Sequence, residues 1–375
     1  MEFVNYTPFP ALGWPNFDKD NNYCLTITSR VKYNFDKVDT KGVWSLKLDP
    51  EQGELFFKDI FYDEENMHTS SVRFESDFVP YKPHGDLIVN AYAHSSVPLR
   101  EWRCGVKVLR PSETHTLDDE VLLEKWLRVH GERYIQDDVV GYSFTKPKES
   151  TKVALRYENA NGGYVRNPNF DKEHDAREKE FLMYSLYNPI GVGIAHKELF
   201  VNNASSRAPQ IESMKESIHK PNMQNPAQGF GFIVRTWHPR VKYVGMFEQA
   251  QIDKKEPCFP KNFDERYYNA AHPDLQLKGY FEPNDKIVLY NLVKDRYEQS
   301  FKLPNFYFKG NVEEPINSNT TLLNIDTVIV DILEDDMQKN AVYVNYRMRI
   351  PCSRNIKGSS LNMLVPEDFI GDGNG

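Results

Sequence analysis

Alternation of apolar and polar side chains with a period of two residues constrains the fold of this chain more than any other feature. Three segments show it clearly: YCLTITSRVKY at Tyr23–Tyr33, WRCGVKV at Trp102–Val108 and AVYVNYRMRI at Ala341–Ile350. Successive side chains of a strand point to opposite faces, so each segment predicts a strand with one face in the core and the other in solvent. The predicted core faces comprise Leu25, Ile27, Val31 and Tyr33; Trp102, Cys104, Val106 and Val108; and Val342, Val344, Tyr346, Met348 and Ile350. The predicted solvent faces comprise Thr26, Thr28, Arg30 and Lys32; Arg103 and Lys107; and Tyr343, Asn345, Arg347 and Arg349.

Three further strands are predicted for DLIVNAYAH at Asp86–His94, KIVLYNL at Lys286–Leu292 and TLLNIDTVIVDI at Thr321–Ile332. The last segment is almost continuously apolar, which is typical of a strand at the centre of a sheet. Helical patterns are few, with one at Asp175–Leu186 and a weaker one at Val241–Gln251. Strands do not alternate regularly with helices, which argues against a doubly wound parallel sheet. The sequence therefore predicts a mainly β fold, with antiparallel sheets packed as a sandwich or a distorted barrel, long ordered loops and few short helices.

The chain organisation follows from the same patterns. Residues 1–350 are expected to form one β-rich domain, with a division into two lobes near residues 146–160 as the alternative. Asn, Gly and Pro are frequent from about residue 146 to residue 260, and long loops in a compact protein often carry function. Residues 351–375 show no convincing strand pattern and end in GDGNG, which predicts a flexible C-terminal tail.

Composition excludes several classes of protein. The net charge is -8, and no block of Lys and Arg provides the basic surface that nucleic acid binding requires. Cys24, Cys104, Cys258 and Cys352 are scattered without a C-x-x-C pair, so a structural zinc site is not expected. The N-terminus lacks the features of a signal peptide, and no apolar run reaches the length of a membrane span. We therefore expect a reduced, cytoplasmic protein without membrane insertion.

The stretch FDERYYNAAHPDLQLKGYF, at Phe263–Phe281, has the composition of an active site because it contains Asp264, Glu265, Arg266, His272 and Asp274. His272 and Asp274 have no second histidine at metal-ligand spacing, so no metal site is predicted. Asp264 and Glu265 are neighbours whose side chains would diverge on a strand, which does not suit the facing carboxyls of a glycosidase.

The alternative function is a β-rich carbohydrate-active enzyme or glycan-binding protein. In that case a remote carboxylate, such as Glu158 or Asp326, would act together with a carboxyl of this stretch. The interpretation that we prefer for this stretch is structural. Asp264 and Arg266 pair and order a loop, so no catalytic residue and no cofactor site are predicted.

For two glycine-rich stretches and one tryptophan, a structural role and a binding role are the competing interpretations. NPIGVG at Asn188–Gly193 lacks the third glycine or the Gly-Lys-Ser/Thr ending of a phosphate-binding loop, which favours a tight turn. YENANGG at Tyr157–Gly163 is likewise typical of a turn, although a ligand loop is the alternative. Trp237, followed by His238, could form a sugar platform, but a core position is the more common use of a tryptophan.

Taken in order, these motifs resemble a bacterial family first described only as a domain of unknown function, whose members act as adaptors or chaperones for type VI secretion effectors. The resemblance extends from about Phe17 to Ile350. The matching positions, which have either structural or partner-binding roles, are Ser76, Asp77, Pro80, Lys82, Pro83 and Asp86; Tyr157, Glu158, Ala160, Gly162 and Gly163; Asn188, Pro189, Gly191 and Gly193; Trp237, Pro239 and Arg240; Phe263, Asp264, Arg266 and Asn269; and Ile325, Asp326, Thr327 and Val328.

The resemblance implies a non-catalytic bacterial adaptor that holds a toxic effector in the cytoplasm and helps to load it onto the spike protein of the secretion apparatus. Its implied partners are the cognate effector and the spike, with no nucleic acid and no cofactor. The chain departs from the family pattern in three places. Asn161 stands where the family has an aromatic residue, and GMFEQAQI at Gly245–Ile252 replaces a G-T-Y-D segment and a later tryptophan. The segment between Gly163 and Asn188 is also polar and fairly long.

Overall fold

The computed structural model describes residues 2–112, 118–139, 141–166, 182–194, 206–223, 225–253, 259–315 and 318–364. The strands are β1 (Glu2–Asn5), β2 (Ala11–Phe17), β3 (Tyr23–Val38), β4 (Val43–Leu48), β5 (Ile60–Phe61), β6 (Val72–Phe74), β7 (His84–Leu99), β8 (Glu101–Arg110), β9 (Glu120–His130), β10 (Ile135–Asp138), β11 (Gly141–Phe144), β12 (Ser150–Ala154), β13 (Tyr164–Arg166), β14 (Leu182–Tyr184), β15 (Ile211–Ser213), β16 (Gln276–Lys278), β17 (Lys286–Val293), β18 (Arg296–Lys302), β19 (Tyr307–Glu313), β20 (Ser318–Leu322), β21 (Asn324–Ile332), β22 (Ala341–Pro351) and β23 (Gly358–Leu364). One short α-helix is described, at Gln249–Asp253, and short 3-10 helices lie at Met67–Thr69, Tyr157–Asn159, Arg240–Tyr243, Glu265–Tyr268, Pro273–Leu275 and Met337–Lys339.

Thirteen of these strands form one large sheet that curls into a half-barrel. Its main order is β12-β7-β21-β22-β3-β4-β18-β17-β8-β9-β15, with β16 added to β7 and β2 added to β3. Most neighbours are antiparallel, while β21 pairs with β7, and β18 with β4, in parallel. The mainly β prediction is confirmed, and β21 lies between two partners as its apolar sequence predicts.

A second sheet of four strands, in the order β1-β23-β19-β20, packs on the apolar face of the large sheet. Tyr346 of β22 stacks on Phe306 at a centroid distance of 5.6 Å and meets Phe308 of β19 edge-on at 4.7 Å. Strand β23 lies in the segment predicted as a flexible tail, so that prediction is wrong for Gly358–Leu364. Leu361 is fully buried in this strand, and its short alternation of Leu361 and Met363 with polar neighbours is too brief to stand out in the sequence. Residues 365–375 lie outside the described part of the chain.

Most of the polar-face residues of β3 and β22 are buried, which corrects the prediction that these faces point to solvent; Lys32, Tyr343 and Arg349 are partly exposed. Arg30 is 2% exposed and Arg347 is 3% exposed. The segment at residues 49–82 covers this face: the Phe56 ring lies 3.6 Å from the Arg30 guanidinium carbon, and the Pro80 carbonyl accepts a hydrogen bond from Thr26. The large sheet therefore has a buried apolar face and, over its central strands, a buried polar face.

The two helix predictions have different outcomes. Residues 175–181 of the predicted Asp175–Leu186 helix lie outside the described residues, and Leu182–Tyr184 forms a strand, β14, rather than a helical end. The predicted helix at Val241–Gln251 is interrupted: a 3-10 helix ends at Tyr243, Gly245 has φ +73°, and the α-helix begins only at Gln249. A left-handed glycine ends a helix in this way because it turns the chain out of the helical path. No helix in the described part of the chain is long and apolar enough to cross a bilayer.

Candidate functional site

The first and last motifs of the series meet in one cross-strand row of the large sheet. Asp86 of β7 is opposite Thr327 of β21, Thr327 is opposite Asn345 of β22, and Asn345 is opposite Arg30 of β3. All four side chains are at most 5% exposed. The row exists because each residue occupies the same phase of its strand's alternation.

Ion pairs and hydrogen bonds connect this row to the covering segment. Asp77 pairs with Arg30 at 2.6 Å and accepts a hydrogen bond from Asn345 at 2.8 Å. Lys82 pairs with Asp86 at 2.7 Å and donates to the Thr327 hydroxyl at 2.9 Å. The connected set continues through further contacts, and we call it the polar layer: Arg30, Asp77, Lys82, Asp86, Asn269, Asp326, Thr327, Asn345 and Arg347.

Asp326 and Asn269 complete the polar layer. Asp326 forms an ion pair with Arg347 at 2.9 Å, and Asn269 donates to Asp86 at 2.9 Å. Isolated buried charges are costly, but each charge here has an opposite charge within ion-pair distance. The polar layer therefore joins the sheet to its covering segments through buried ion pairs and hydrogen bonds.

The Trp237, Pro239 and Arg240 motif lies beside this layer. Arg240 pairs with Glu75 at 2.7 Å, and both side chains are buried. Burial by itself raises the pKa of Glu75, but Arg240 and Arg235 outweigh it and lower that pKa to about 2. Trp237 is 5% exposed and meets the Tyr157 ring edge-on at 5.6 Å, so it occupies the core rather than a sugar platform.

The two glycine motifs form interlocked turns. Asn188 donates to the carbonyls of Tyr157 and Asn161, and the Gly163 amide donates to the Asn188 carbonyl at 2.7 Å. A Cβ atom at Gly162 would lie 2.1 Å from that same carbonyl, which requires glycine there. Gly163 and Gly193 have φ values of +75° and +124°, so the tight-turn interpretation agrees with this geometry. Together with Pro189 and Gly191 they border a surface cavity of about 460 Å³.

The stretch that begins at Phe263 has some residues in the core and others at the surface. Phe263 is buried against Tyr267 and Tyr268. Asp264 and Arg266 form the expected pair at 2.5 Å, but their side chains are 36% and 49% exposed, so the pair orders a surface turn. The hydrogen bond from Arg266, the largest contribution, lowers the pKa of Asp264.

A surface groove of about 780 Å³ lies away from the motif positions, none of which lines it. Its walls are β9, the turn after β15, and the segment that contains the 3-10 helix Pro273–Leu275 and β16. The lining residues are Glu120, Val121, Leu122, Leu123, Glu124, Lys125, Trp126, Ser213, Met214, Lys215, Pro273, Asp274, Gln276, Leu277 and Lys278. A side pocket of about 370 Å³ shares Ser213, Lys215, Pro273 and Asp274 with the groove and is also lined by Tyr187, Gln228, His238, Pro239 and His272.

Beside the groove, β9 has a free edge. Strand β15 pairs only with Leu127–Val129 of β9, and the His130 amide donates to the Gln210 carbonyl beyond it. Within the described residues, no strand pairs with Leu122–Trp126 on the side opposite β8. We call Leu122–Trp126 the free edge. Unpaired strand edges are sites at which a further strand can add.

A buried cluster lies between the groove and the side pocket. Lys125 is 5% exposed, and its Nζ lies 2.8 Å from Gln228 Oε1, 3.2 Å from Asp274 Oδ2 and 3.4 Å from His272 Nε2. Burial lowers the pKa of Lys125. Burial, with a further contribution from the charge of Lys125, lowers the pKa of His272 to about 3, so the imidazole is neutral at pH 7.

The Lys125 cluster can bind polar groups but resembles no metal centre. Among the described residues, no group of three or more His, Cys, Asp or Glu side chains is arranged to hold a metal ion. Asp274 accepts from Lys125, and His272 Nδ1 accepts from the Asp274 amide at 3.1 Å. The cluster presents one buried ammonium group and the half-exposed carboxylate of Asp274 to the groove.

Strand β9, the groove and Lys125 are absent from the predictions made from the sequence, although the sequence of β9 contains a signal for the buried lysine. In EVLLEKWLRVH, at Glu120–His130, the positions Val121, Leu123, Leu127 and Val129 share one phase, and Lys125 falls in the same phase. A lysine among inward-facing apolar residues indicates a buried ammonium group that requires partners. His272 and Asp274, which were examined as metal ligands, are two of those partners.

The sequence comparison identifies the family. Residues 20–347 match the family described as "Uncharacterized protein conserved in bacteria (DUF2169)". The chain belongs to this family. The match covers every position of the motif series, from Ser76 to Val328. No curated protein and no solved structure matches the chain.

Proposed function

We propose that this member of the family is a non-catalytic adaptor that binds a cognate type VI secretion effector in the bacterial cytoplasm and promotes its loading onto the spike protein. The observation that carries the proposal is the groove beside the free edge of β9. At this groove, backbone groups that have no strand partner among the described residues lie beside apolar and charged side chains on one accessible surface. The ordered motif series supplies the link to secretion, through resemblance.

The groove has the mixed character of a protein-binding surface. Val121 is 50% exposed and Met214 is 37% exposed, although both are apolar. Charged side chains surround them, including Glu120, Lys215 and Lys278. Reversible interfaces combine a few apolar anchors with a polar rim, which suits an adaptor that must release its partner at the spike.

The residues that motivated the carbohydrate alternative have other partners in the fold. Glu158 accepts hydrogen bonds from the backbone and the hydroxyl of Ser71, Asp326 pairs with Arg347, and Trp237 packs on Tyr157. No observation favours a sugar site over the groove, and we therefore propose only the adaptor function.

Co-purification tests the proposal. The tagged chain is co-expressed with candidate effector and spike proteins chosen from the genes that neighbour its own, and the proposal expects one effector and one spike protein to be recovered with it. The matched control is the same chain with Met214→Asp and Val121→Asp, which places charge on two exposed apolar positions of the groove without altering a buried one. We expect this variant to fold and to lose the effector. Recovery of neither protein by the folded wild-type chain would count against an adaptor function.

A further inference from the structure

We propose that the groove receives an extended, carboxylate-bearing segment of the partner protein, which adds to the large sheet as a strand along the free edge of β9. The identity of that partner rests on the adaptor function proposed above. The mode of binding rests only on the geometry of β9 and the charges of the groove.

The backbone geometry provides the hydrogen-bonding groups. In an antiparallel ladder, alternate residues direct both their N–H and C=O groups to the same neighbour. The His130 amide points away from β8 because it donates to Gln210. Alternation then directs the backbone groups of Trp126 and Glu124 to the same side, beyond the end of β15. An added segment would satisfy these groups, as in other cases of strand addition.

The side chains of the groove select the added segment. Leu123 and Leu277 present apolar surface, so alternate residues of the segment would be apolar. Glu124 is already paired with Lys107, and Asp274 is paired with Lys125. Lys215 and Lys278 form no ion pair with any described residue, whereas Glu120 lies opposite Arg110 of β8. The groove therefore offers two lysine ammonium groups to an added carboxylate. An extended segment with alternating apolar residues and at least one carboxylate complements this surface.

A proline substitution tests the strand addition directly. Glu124→Pro removes an N–H group that points away from β8, so the β8–β9 ladder is retained and proline is tolerated at such an edge position. Glu124→Ala is the matched control, because it also loses the Lys107 pair but keeps the N–H group. The probe is a random peptide library displayed on phage and selected on the folded wild-type chain. Selected peptides should alternate apolar residues with at least one Asp or Glu, and they should bind Glu124→Pro about tenfold more weakly than Glu124→Ala.

Charge reversal tests the second half of the proposal. Lys215→Glu and Lys278→Glu should each weaken the same peptides, whereas Lys41→Glu, at an exposed position in the turn between β3 and β4, should not. Failure to select any peptide, or equal binding by Glu124→Pro and Glu124→Ala, would overturn the proposal. If wild-type chains instead associate through this edge, sedimentation will show a dimer that Glu124→Pro dissociates, which would also overturn it in favour of a second copy.

The peptide and co-purification results are independent. Recovery of the effector with unchanged binding by Glu124→Pro would retain the adaptor function and reject strand addition. Selection of edge-dependent peptides without recovery of the effector would retain the edge site and reject the adaptor function.

Discussion

Asp77 and Asp264 both pair with an arginine, but they differ in burial, and this difference sets what each contributes to stability. Asp77 is 3% exposed and binds Arg30, the Phe56 amide and Asn345, whereas Asp264 is 36% exposed. Removal of one member of a buried pair leaves the other charge without a partner, which costs about 3–5 kcal/mol. An exposed pair contributes at most about 1 kcal/mol.

We therefore predict that Asp77→Ala lowers the free energy of unfolding by about 3–5 kcal/mol, while Asp264→Ala lowers it by at most about 1 kcal/mol. Urea denaturation of both variants beside the wild type measures the two changes. Similar losses in the two variants would show that burial does not determine the contribution of these pairs.

A second single residue, His272, makes the free energy of unfolding depend on pH. Its pKa in the folded protein is about 3, below the value of 6.5 for an unperturbed histidine. Between these two values the unfolded chain binds a proton that the folded chain does not, so stability is full above about pH 6.5 and falls as the pH decreases. We predict that the wild type loses about 1–2 kcal/mol more than His272→Asn between pH 7 and pH 5.

Chemical denaturation at several pH values measures that difference. His94, which is partly buried and whose pKa is also lowered by burial, contributes in the same direction in both proteins and cancels in the comparison. A parallel pH dependence of the two proteins would show that His272 is protonated in the folded state.

The alternating pattern correctly predicted on which face of its strand each side chain lies. It did not predict which other segment of the chain packs over that face. Arg30 and Arg347 alternate correctly with apolar neighbours, yet they are buried because the segment at residues 49–82 lies over them. That contact joins parts of the chain that are far apart in sequence, so a local period cannot reveal it. For the same reason, the sequence showed Asp77, Asp86 and Thr327 only as separate motif positions and not as one layer.

At the scale of elements, two glycine-rich stretches that lie apart in the sequence form one structure, the interlocked turns. Gly191 has no left-handed φ, but a Cβ there would lie 2.4 Å from Asn188 Nδ2 and 2.6 Å from the Ala160 carbonyl oxygen. Gly231 is a matched control because its nearest contact to an added Cβ would be the Tyr157 ring at 3.8 Å. Sequence alone indicated turns at both stretches, but not that each turn requires the other.

We predict that Gly191→Ala destabilises the protein by about 1–3 kcal/mol through overpacking, whereas Gly231→Ala changes its stability little. Thermal unfolding of the two variants provides the measurement. Equal melting temperatures would indicate that the Asn188 turn can move away from Ala160 without loss.

At the scale of the whole molecule, the order of strands in the large sheet could not be read from the sequence. Strand β21 pairs in parallel with β7, which precedes it by more than 200 residues, and β3 pairs with β22 near the other end of the chain. The sequence predicted most of these strands and the mainly β class, because those depend on local alternation. The half-barrel and the groove depend on non-local pairing, which leaves no periodic signal.

Strand β23 lies between β1 and β19 in the second sheet. Its removal tests how far the fold depends on the C-terminal part of the chain. It pairs with β1 on one side and with β19 on the other, and it buries Leu361. A chain that ends at Pro351 would leave β1 without its strand partner, would leave β19 paired only with β20, and would expose the apolar surface around Phe308. We predict that this variant fails to fold or loses a large part of a total stability of about 5–15 kcal/mol.

A chain that ends at Leu364 is the matched control, since it keeps every described strand and the pairing of β23 with β1 and β19. We expect it to melt near the temperature of the full-length protein, with both chains compared by circular dichroism and by sedimentation to detect aggregation. Normal folding of the chain that ends at Pro351 would mean that β1 and β19 hold the second sheet without β23. In that case Phe306 and Phe308, packed on Tyr346, would be sufficient to join the two sheets.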